Sequence, residues 1–217
     1  MEVTLIDSMG TDLTVVNAAR VSFGKKKKKF TDGDARLINY LARHNHWTPF
    51  GHCSMQFHIV APVFVARQLV KHQVGLVWNE VSRRYVDSYP EFYIPETWRL
   101  KAEDKKQGSS EEVYYNDQPP NTKDNPHRIP SYQTVCENAT AIYQSMLAVG
   151  VCPEQARMVL PQSMMTEWYW SGTLMAFARV CNLRCKPDTQ LETRIVANQI
   201  DSLSKDLFPV SWDALRK

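Results

Sequence analysis

The sequence predicts an α+β fold: a single domain with an antiparallel-type sheet, a helix-rich second half and no Rossmann fold. Apolar and polar residues alternate from Ser54 to Val60, which is typical of a half-buried strand. Apolar residues recur at helical spacing over 132–147 and 189–207. The eight glycines form no GxGxxG or GxxxxGK[ST] motif, which argues against a dinucleotide-binding or P-loop domain.

The first half supplies the predicted strands and two helices. Val3 to Ile6 and Thr14 to Val16 are β-prone runs. A helix is expected to begin after Thr31, because threonine is a favourable N-cap. Pro62 suits the first turn of the next helix, and Gly75 is expected to end it. The buried face of that helix would carry Val63, Ala66, Val70 and Val74.

The second half begins with a polar stretch at about 101–130, which we expect to be a surface excursion. Ser131 can cap a helix that Gly150 would end, and Pro153 can begin a short helix before Arg157. No boundary divides the chain, so residues 1–217 are expected to form one domain.

Two further helices are predicted near the C-terminus. A mostly apolar run over Trp168 to Arg184 is expected to be helical. The last helix is amphipathic and covers Thr189 to Leu207. Its inward residues are expected to be Leu191, Ile195, Leu203 and Leu207.

Composition excludes several classes of protein. The 217 residues carry 26 Lys and Arg against 23 Asp and Glu, a net charge of +3 that does not by itself indicate nucleic-acid binding. No run of 18 apolar residues and no signal-peptide pattern occurs, so neither a membrane span nor export is expected. Five cysteines indicate reduced thiols in a cytoplasm. Cys181 and Cys185 lack a nearby histidine, which favours a structural pair over a metal site.

Functional side chains are densest over 67–85, RQLVKHQVGLVWNEVSRRY. Its four cations suit a phosphate-bearing ligand, because guanidinium forks and ammonium groups bind phosphate oxygens. The alternative is a solvated basic face, although Val77, Trp78 and Val81 favour a partly buried site. The Lys25–Lys29 run is likewise either a solvated loop or an attraction for phosphate-bearing substrates.

The order of these residues resembles the signature of flavin-dependent thymidylate synthases: Arg-His-Arg, seven residues, Ser, then Arg-Tyr. Here the triplet is Lys71-His72-Gln73, eight residues precede Ser82, and Arg84-Tyr85 follow. The chain departs from the signature at both triplet arginines and by one inserted residue. Six further segments resemble the family in order: AARVSF (18–23), HWTPFGH (46–52), APVFVARQ (61–68), YPEFYIP (89–95), EQARMVLP (154–161) and NLR with a downstream QxE (182–192).

The resemblance implies a reaction. Such enzymes methylate dUMP to dTMP, with 5,10-methylenetetrahydrofolate as carbon donor, reduced FAD as hydride donor and NADPH as reductant of the tightly bound flavin. The family uses no cysteine nucleophile and is generally a homotetramer with shared active sites. A cytoplasmic enzyme without a metal, a nucleic-acid partner or a membrane partner is therefore expected.

The resemblance also implies which residues bind each ligand. The dUMP positions are Gln68, Leu69, Val70, Lys71, Glu80, Val81, Ser82, Arg83, Arg84, Arg157 and Arg184. The FAD positions are His46, Thr48, Lys71, His72, Gln73, Glu80, Thr173, Leu174, Met175 and Arg179. The family often shows Asn and Arg at 173–175, where this chain has Thr173, Leu174 and Met175. Flavin contacts there are therefore expected to be weaker or to come from the backbone, with Arg179 compensating one helical turn later.

Arg184 is the expected catalytic residue. A fixed cation beside the uracil ring would favour its N3 anion and so make C5 more nucleophilic. The alternative for Arg184 is an ion pair with Asp188 or Glu192, and His46 has the alternative of a structural histidine. Two rival functions also remain open at this point. One is a different nucleotide-binding flavoprotein, and the other is a basic nucleic-acid-binding module that uses Lys25–Lys29 and Arg83-Arg84.

Overall fold

The computed structural model describes residues 1–103, 108–114 and 131–216. The strands are β1 (Glu2–Met9), β2 (Ser54–Pro62), β3 (Leu76–Glu80), β4 (Trp98–Lys101), β5 (Ser109–Tyr114) and β6 (Met165–Thr173). The helices are α1 (Asp12–Arg20), α2 (Asp32–Arg43), α3 (Val63–Leu69), α4 (Tyr132–Ala148), α5 (Pro153–Ala156), α6 (Leu174–Arg184), α7 (Leu191–Leu207) and α8 (Pro209–Leu215). None of the described helices is both long and apolar enough to cross a bilayer.

Residue contacts group the chain into two compact units. The first comprises Met1–Ala61, Val65–Glu80 and Glu167–Lys217, and the second comprises Pro62–Phe64 and Val81–Thr166. The expectation of one domain over 1–217 stays a prediction.

The main sheet has four strands in the order β1-β2-β6-β3. β1 pairs with β2 antiparallel, with Val3 opposite Ile59. β3 pairs with β6 antiparallel, with Trp78 opposite Trp170. Together with the helices this arrangement confirms the predicted α+β class with an antiparallel sheet.

The predicted strand at Ser54–Val60 is confirmed, and its apolar face builds the core. Met55, Phe57 and Ile59 are buried in β2. The ring of Phe57 meets the ring of Phe177 from α6 edge-on at 5.0 Å. Such edge-to-face contacts are favourable for aromatic rings, so they fix α6 against the sheet.

The helix predicted over Trp168 to Arg184 is wrong in its first part, because β6 extends to Thr173. Thr166, Trp168 and Trp170 are buried while the residues between them are less so, which is the period of a strand. Aromatic residues also favour strands. Strands are therefore not confined to the first half. Helix α6 begins after Thr173, whose Oγ1 accepts from the Ala176 N–H at 3.2 Å.

The helix predicted from Pro62 to Gly75 is also too long. Helix α3 ends at Leu69, and Val74 is 77% exposed instead of buried. Gly75 has a φ of +79°, and this left-handed conformation ends the turn after α3. Strand β3, which the sequence did not predict, begins at the next residue. The turn between α3 and β3 carries the Lys71-His72-Gln73 triplet.

The β-prone run at Thr14–Val16 is helical, because the residues before it form a capping box. The Thr14 Oγ1 accepts from the Thr11 N–H at 3.0 Å, and the Thr11 side chain accepts from the main-chain N–H of Thr14. Val15 and Val16 are buried on the resulting helix α1. The helix predicted after Thr31 is confirmed as α2, with the same kind of capping box.

The polar stretch at about 101–130 is only partly described. Strand β5 pairs antiparallel with β4 there, so the stretch contains regular structure. Residues 104–107 and 115–130 lie outside the described residues. The helix after Ser131 is confirmed as α4, with Gly150 in a positive-φ conformation beyond its end, and α5 begins at Pro153 as predicted.

The C-terminal helices α7 and α8 belong to the first unit. The last predicted helix is confirmed as α7, but its fully buried apolar residues are Val196, Ala197 and Ile200. The four predicted inward residues are only half-buried: Leu191, Ile195, Leu203 and Leu207. Helix α8 was not predicted. The Asp12 carboxylate accepts from the N–H groups of Val210 at 3.0 Å and Ser211 at 2.8 Å, which satisfies the N-terminus of α8.

Candidate active site

One side-chain hydrogen bond joins the turn after α3 to the end of α6. Arg184, the last residue of α6, donates from Nε to Nε2 of His72 at 3.0 Å. The His72 N–H donates to the Leu69 carbonyl at 3.0 Å, which anchors the turn to α3. Two residues predicted to bind different ligands are therefore direct neighbours.

The electrostatics of this pair favour a neutral imidazole. Burial, and then the positive charge of Arg184, lower the pKa of His72 from its usual value. Burial also lowers the pKa of Arg184, whose guanidinium still stays protonated in a protein. Because His72 accepts with Nε2, its proton resides on Nδ1. The alternative ion pair of Arg184 with Asp188 or Glu192 is not among the ion pairs of the described residues.

Gln68 is held by two residues of the α7 region whose roles were not predicted. Its Nε2 donates to Gln190 Oε1, and its Oε1 accepts from Thr193 Oγ1 at 3.1 Å. Thr193 is fully buried, so this contact fixes the amide orientation. The QxE segment at 190–192 was the sequence feature that could have pointed to this contact, although its resemblance to the family assigned no role to Gln190.

The apolar neighbours of Gln68 have little access to a ligand. The Leu69 side chain is fully buried, and Val70 is half-buried. Any nucleotide contact of Leu69 would therefore come from its backbone. Lys71 and Gln73 are exposed in the turn, where their polar ends can reach a ligand.

In the second unit, Val81–Tyr85 forms a turn rich in cations. Ser82 Oγ accepts from both the main-chain N–H and the Nε of Arg84, at 3.4 and 3.3 Å. Arg83 donates from Nη1 to the Ser88 carbonyl at 2.5 Å, and its guanidinium lies 6.0 Å from the centre of the Tyr143 ring. The Arg84 guanidinium lies 5.0 Å from the centre of the Tyr85 ring.

The ion pairs between described residues do not involve the predicted site cations. Elsewhere in the described residues, Arg20, Lys27, Lys205 and Arg216 are paired with aspartates. The predicted site cations form no ion pair with any described carboxylate: Lys71, Arg83, Arg84, Arg157, Arg179 and Arg184. Among the described residues, Arg157 donates to the Glu154 carbonyl, at 3.3 Å. Unpaired cations of this kind are suited to bind anions.

The predicted FAD positions differ in their access. His46 and Thr48 are exposed, and Thr48 begins a 3-10 turn over Thr48–His52. The structural alternative for His46 is not supported by burial, although its ring lies 6.1 Å from that of Tyr40. Glu80, predicted for both ligands, is exposed and its Oε2 accepts from Trp78 Nε1 at 3.2 Å.

The 173–175 segment is largely used by the fold itself. The Thr173 side chain caps α6, and its N–H donates to the Gly75 carbonyl at 3.1 Å. Leu174 is fully buried, and its N–H donates to the Cys53 carbonyl at 2.9 Å. Met175 is half-buried, and Arg179 is exposed on α6. Any flavin contact of a side chain in this part of the chain would therefore come from Met175 or Arg179.

Cys181 and Cys185 have a third neighbour that the sequence did not indicate. Their sulfurs and an oxygen of Asp201 lie within 4.8 Å of one another, which is the spacing of a metal-ligand set. The Asp201 Oδ1 already accepts from Arg216 Nε at 2.6 Å and from Trp212 Nε1 at 2.8 Å. Because the nearby guanidinium opposes a further cation, we interpret the group as structural.

The Lys25–Lys29 run is held in place at its central residue, Lys27. Asn17 holds the main chain of Lys27 through two hydrogen bonds, of 2.7 and 3.0 Å. The Lys27 ammonium contacts the fully buried Asp34 carboxylate, which Arg20 also pairs at 3.0 Å. The other four lysines are exposed.

Comparison with protein families matches residues 4–210 to the family described as thymidylate synthase complementing protein. A flavin-dependent thymidylate synthase of Thermus thermophilus is 38% identical over 215 residues, which cover 99% of this chain and 75% of the relative. The flavin-dependent thymidylate synthase of Thermosipho africanus is 37% identical over 98% of this chain and 90% of its own length.

A solved structure gives a similar result. The UMP/dUMP methylase PolB from Streptomyces cacaoi, bound with 5-Br dUMP, matches with a TM-score of 0.82 and 32% identity. The match covers 98% of this chain and 93% of PolB. The same methylase bound with 5-Br UMP matches with a TM-score of 0.79. The two proteins therefore share a fold over nearly their whole length.

Proposed function

We propose that this chain, which belongs to the flavin-dependent thymidylate synthase family, methylates dUMP to dTMP. In this proposal 5,10-methylenetetrahydrofolate is the carbon donor and NADPH the reductant. Tightly bound FAD supplies the hydride that completes the methyl group. The names of the relatives and of PolB support the proposal.

The observation that carries the proposal is that, among the described residues, the predicted site cations form no ion pair with a carboxylate. Arg83, Arg84 and Arg157 lie in the second unit, while Lys71, Arg179 and Arg184 lie in the first. An unpaired cation retains its full capacity for a phosphate, and each charge-assisted hydrogen bond contributes about 1.5–3 kcal/mol. A nucleotide and a dinucleotide together present several phosphate groups for these cations.

The residues at the predicted FAD positions fit that cofactor in chemistry. Thr48, Lys71 and Gln73 are exposed and offer a hydroxyl, an ammonium and an amide to phosphate and ribityl oxygens. Lys71 keeps a charge without the guanidinium fork, and Gln73 keeps hydrogen bonding without a charge. We propose His46, His72, Glu80, Met175 and Arg179 as further contacts, with Thr173 and Leu174 contributing only through backbone.

Arg184 is proposed to act on the uracil ring. With Nε committed to His72, its two terminal nitrogens remain for the ring edge that carries N3. A preorganised cation there favours the N3 anion, which increases electron density at C5, where the new carbon is attached. Gln68 and Lys71 would orient the nucleotide in the same unit.

Ser82 is proposed to orient the nucleotide and not to attack it. Both described partners of its Oγ are N–H donors of Arg84, so no described base takes its proton. An unactivated serine is a weak nucleophile. Val81, Ser82, Arg83 and Arg84 are therefore proposed as binding residues, with Arg157 as an additional phosphate contact.

The remaining parts of the proposal concern the setting of the reaction. We propose a cytoplasmic homotetramer with shared active sites that needs no metal or nucleic acid. A second candidate substrate is UMP, because the similar methylase PolB is named for both UMP and dUMP.

Anaerobic turnover tests the proposed function. The enzyme is incubated with FAD, NADPH, methylenetetrahydrofolate carrying a labelled methylene carbon, and either dUMP or UMP. We expect label in dTMP, which chromatography separates from its ribonucleotide counterpart. Absence of labelled thymidylate from a flavin-loaded enzyme would refute dUMP methylation, and label in the ribonucleotide product alone would assign UMP as the substrate.

A further inference from the structure

We propose that His72 is the positioning residue for Arg184: it holds Nε of the guanidinium so that the two terminal nitrogens face the nucleotide. The proposal rests on the proposed function, because it assigns a partner to the residue that acts on uracil. It differs from the FAD role implied for His72, since it acts through a protein side chain.

Geometry is the first support for this role. The Arg184 Nε to His72 Nε2 distance is 3.0 Å, and both side chains are half-buried. His72 is in turn fixed by its main-chain hydrogen bond to Leu69, at the end of a helix whose last residue is fully buried. An arginine side chain loses rotamer entropy when it is ordered, and a rigid acceptor at Nε removes much of that cost before the nucleotide binds.

Electrostatics supply the second support. Burial holds the pKa of His72 below its usual value, and Arg184 lowers that pKa further. The charge that acts on His72 is that of Arg184 from α6, and the neighbouring Lys71 is exposed. A neutral imidazole can accept from Nε, whereas an imidazolium has no acceptor and repels the guanidinium. The pair therefore stays intact above the lowered pKa of His72.

A pair of substitutions separates this role from a flavin-binding role. His72→Gln keeps a neutral acceptor near Nε2, whereas His72→Leu removes it. We expect His72→Leu to lower kcat for dTMP formation by about 10- to 100-fold, because a misplaced catalytic group is costly. We expect His72→Gln to recover most of this loss. Both variants are measured at saturating FAD, so that a lost contact of His72 with FAD does not enter kcat, and exposed His44→Gln serves as the matched control.

Either of two kinetic results would overturn the proposal. One is an unchanged kcat in His72→Leu. The other is an equal loss of kcat in the Gln and Leu variants, which would indicate that the imidazole ring itself is required.

A measurement without turnover keeps the inference separate from the proposed function. Nitrogen-15 NMR of labelled histidines reports the tautomer and the pKa of His72. We expect the Nδ1–H tautomer at pH 7.5, and a higher pKa in Arg184→Met than in the wild type. An Nε2–H tautomer, or a pKa that Arg184→Met leaves unchanged, would refute the pairing even if the enzyme makes dTMP. If the wild type makes no dTMP but the NMR result is as expected, the proposed function fails and the pairing stands.

Discussion

Single residues of the site divide into those that the sequence could predict and those that it could not. Arg184 and the cations around Ser82 stand in recognisable order, so their resemblance to a family motif was visible. The contact of Arg184 with His72 joins residues 112 positions apart. Such a contact depends on tertiary packing, which no local pattern encodes.

Arg184 and Ser82 should respond differently to truncation. Arg184→Ala is expected to lower kcat by about 10²–10³-fold, because a preorganised charge that stabilises the reacting ring is lost. Ser82→Ala is expected to retain measurable dTMP formation, since its hydroxyl only orients the nucleotide. Steady-state kinetics on folded, flavin-binding variants checks the ranking. A larger loss for Ser82→Ala, or a trapped covalent adduct of Ser82 with the nucleotide, would contradict it.

Asp34 is expected to stabilise the lysine loop through its charge. Burial alone would raise the pKa of this carboxyl, but hydrogen bonds from Lys27, Thr31 and Arg20 outweigh it and hold the pKa well below its usual range. Asp34→Ala should lower the free energy of unfolding by about 3 kcal/mol, because it leaves partly buried cations unpaired. Asp32 is exposed in the first turn of the same helix, so Asp32→Ala should lower the free energy of unfolding by only about 0.5 kcal/mol.

The pH dependence of this contribution has a definite sign. Since the folded pKa of Asp34 is below the unfolded value of about 3.9, its stabilisation is present above pH 4 and is lost as the pH falls. Urea unfolding at pH 7 and at pH 3 should therefore show the difference between wild type and Asp34→Ala shrinking at the lower pH. A difference that is equal at both values would exclude a role for the ionised carboxylate.

Secondary-structure elements were predictable where one period dominates. The alternation of β2 and the stripes of α4 and α7 indicated the correct type. Strand β6 was missed because its exposed positions include Tyr169, which makes the segment look continuously apolar. Strand β3 was missed because Val77 and Trp78 lie beside a charged segment. In both cases pairing across the sheet decided the structure, and the sequence does not show that pairing.

The pairing of β3 with β6 requires a glycine at 172. A Cβ there would collide with the Leu76 side chain and lie 2.6 Å from the Gly75 carbonyl oxygen. Gly172→Ala should therefore destabilise the protein by about 1–3 kcal/mol. Gly33→Ala, where a Cβ meets nothing closer than 3.7 Å, is the matched control and should be neutral or stabilising by up to about 1 kcal/mol. Equal melting temperatures for the two variants in thermal unfolding would contradict this account of the β3–β6 contact.

At the scale of the whole molecule, the fold class was predictable but the grouping of the chain was not. Composition and periodicity indicated α+β without a Rossmann domain. The two compact units each combine separate stretches of sequence, such as Pro62–Phe64 with Val81–Thr166. No change in composition marks those boundaries, because they depend on contacts between distant residues.

The proposed assembly is testable on the intact protein. A homotetramer should have a light-scattering mass about four times that of the 25.0 kDa chain. Activity per subunit should fall on dilution as the tetramer dissociates, because shared sites are then incomplete. A monomer that remains fully active at micromolar concentration would contradict shared sites.

The central claim is that this chain uses a reduced flavin to build the methyl group of thymidylate. A single anaerobic turnover tests it most directly: enzyme-bound FAD is reduced, excess NADPH is removed, and dUMP and methylenetetrahydrofolate are added. We predict that flavin absorbance returns and that one dTMP forms for each flavin oxidised, with Arg184→Ala slow in both. Formation of dTMP without flavin oxidation, or flavin oxidation without dTMP, would contradict the account.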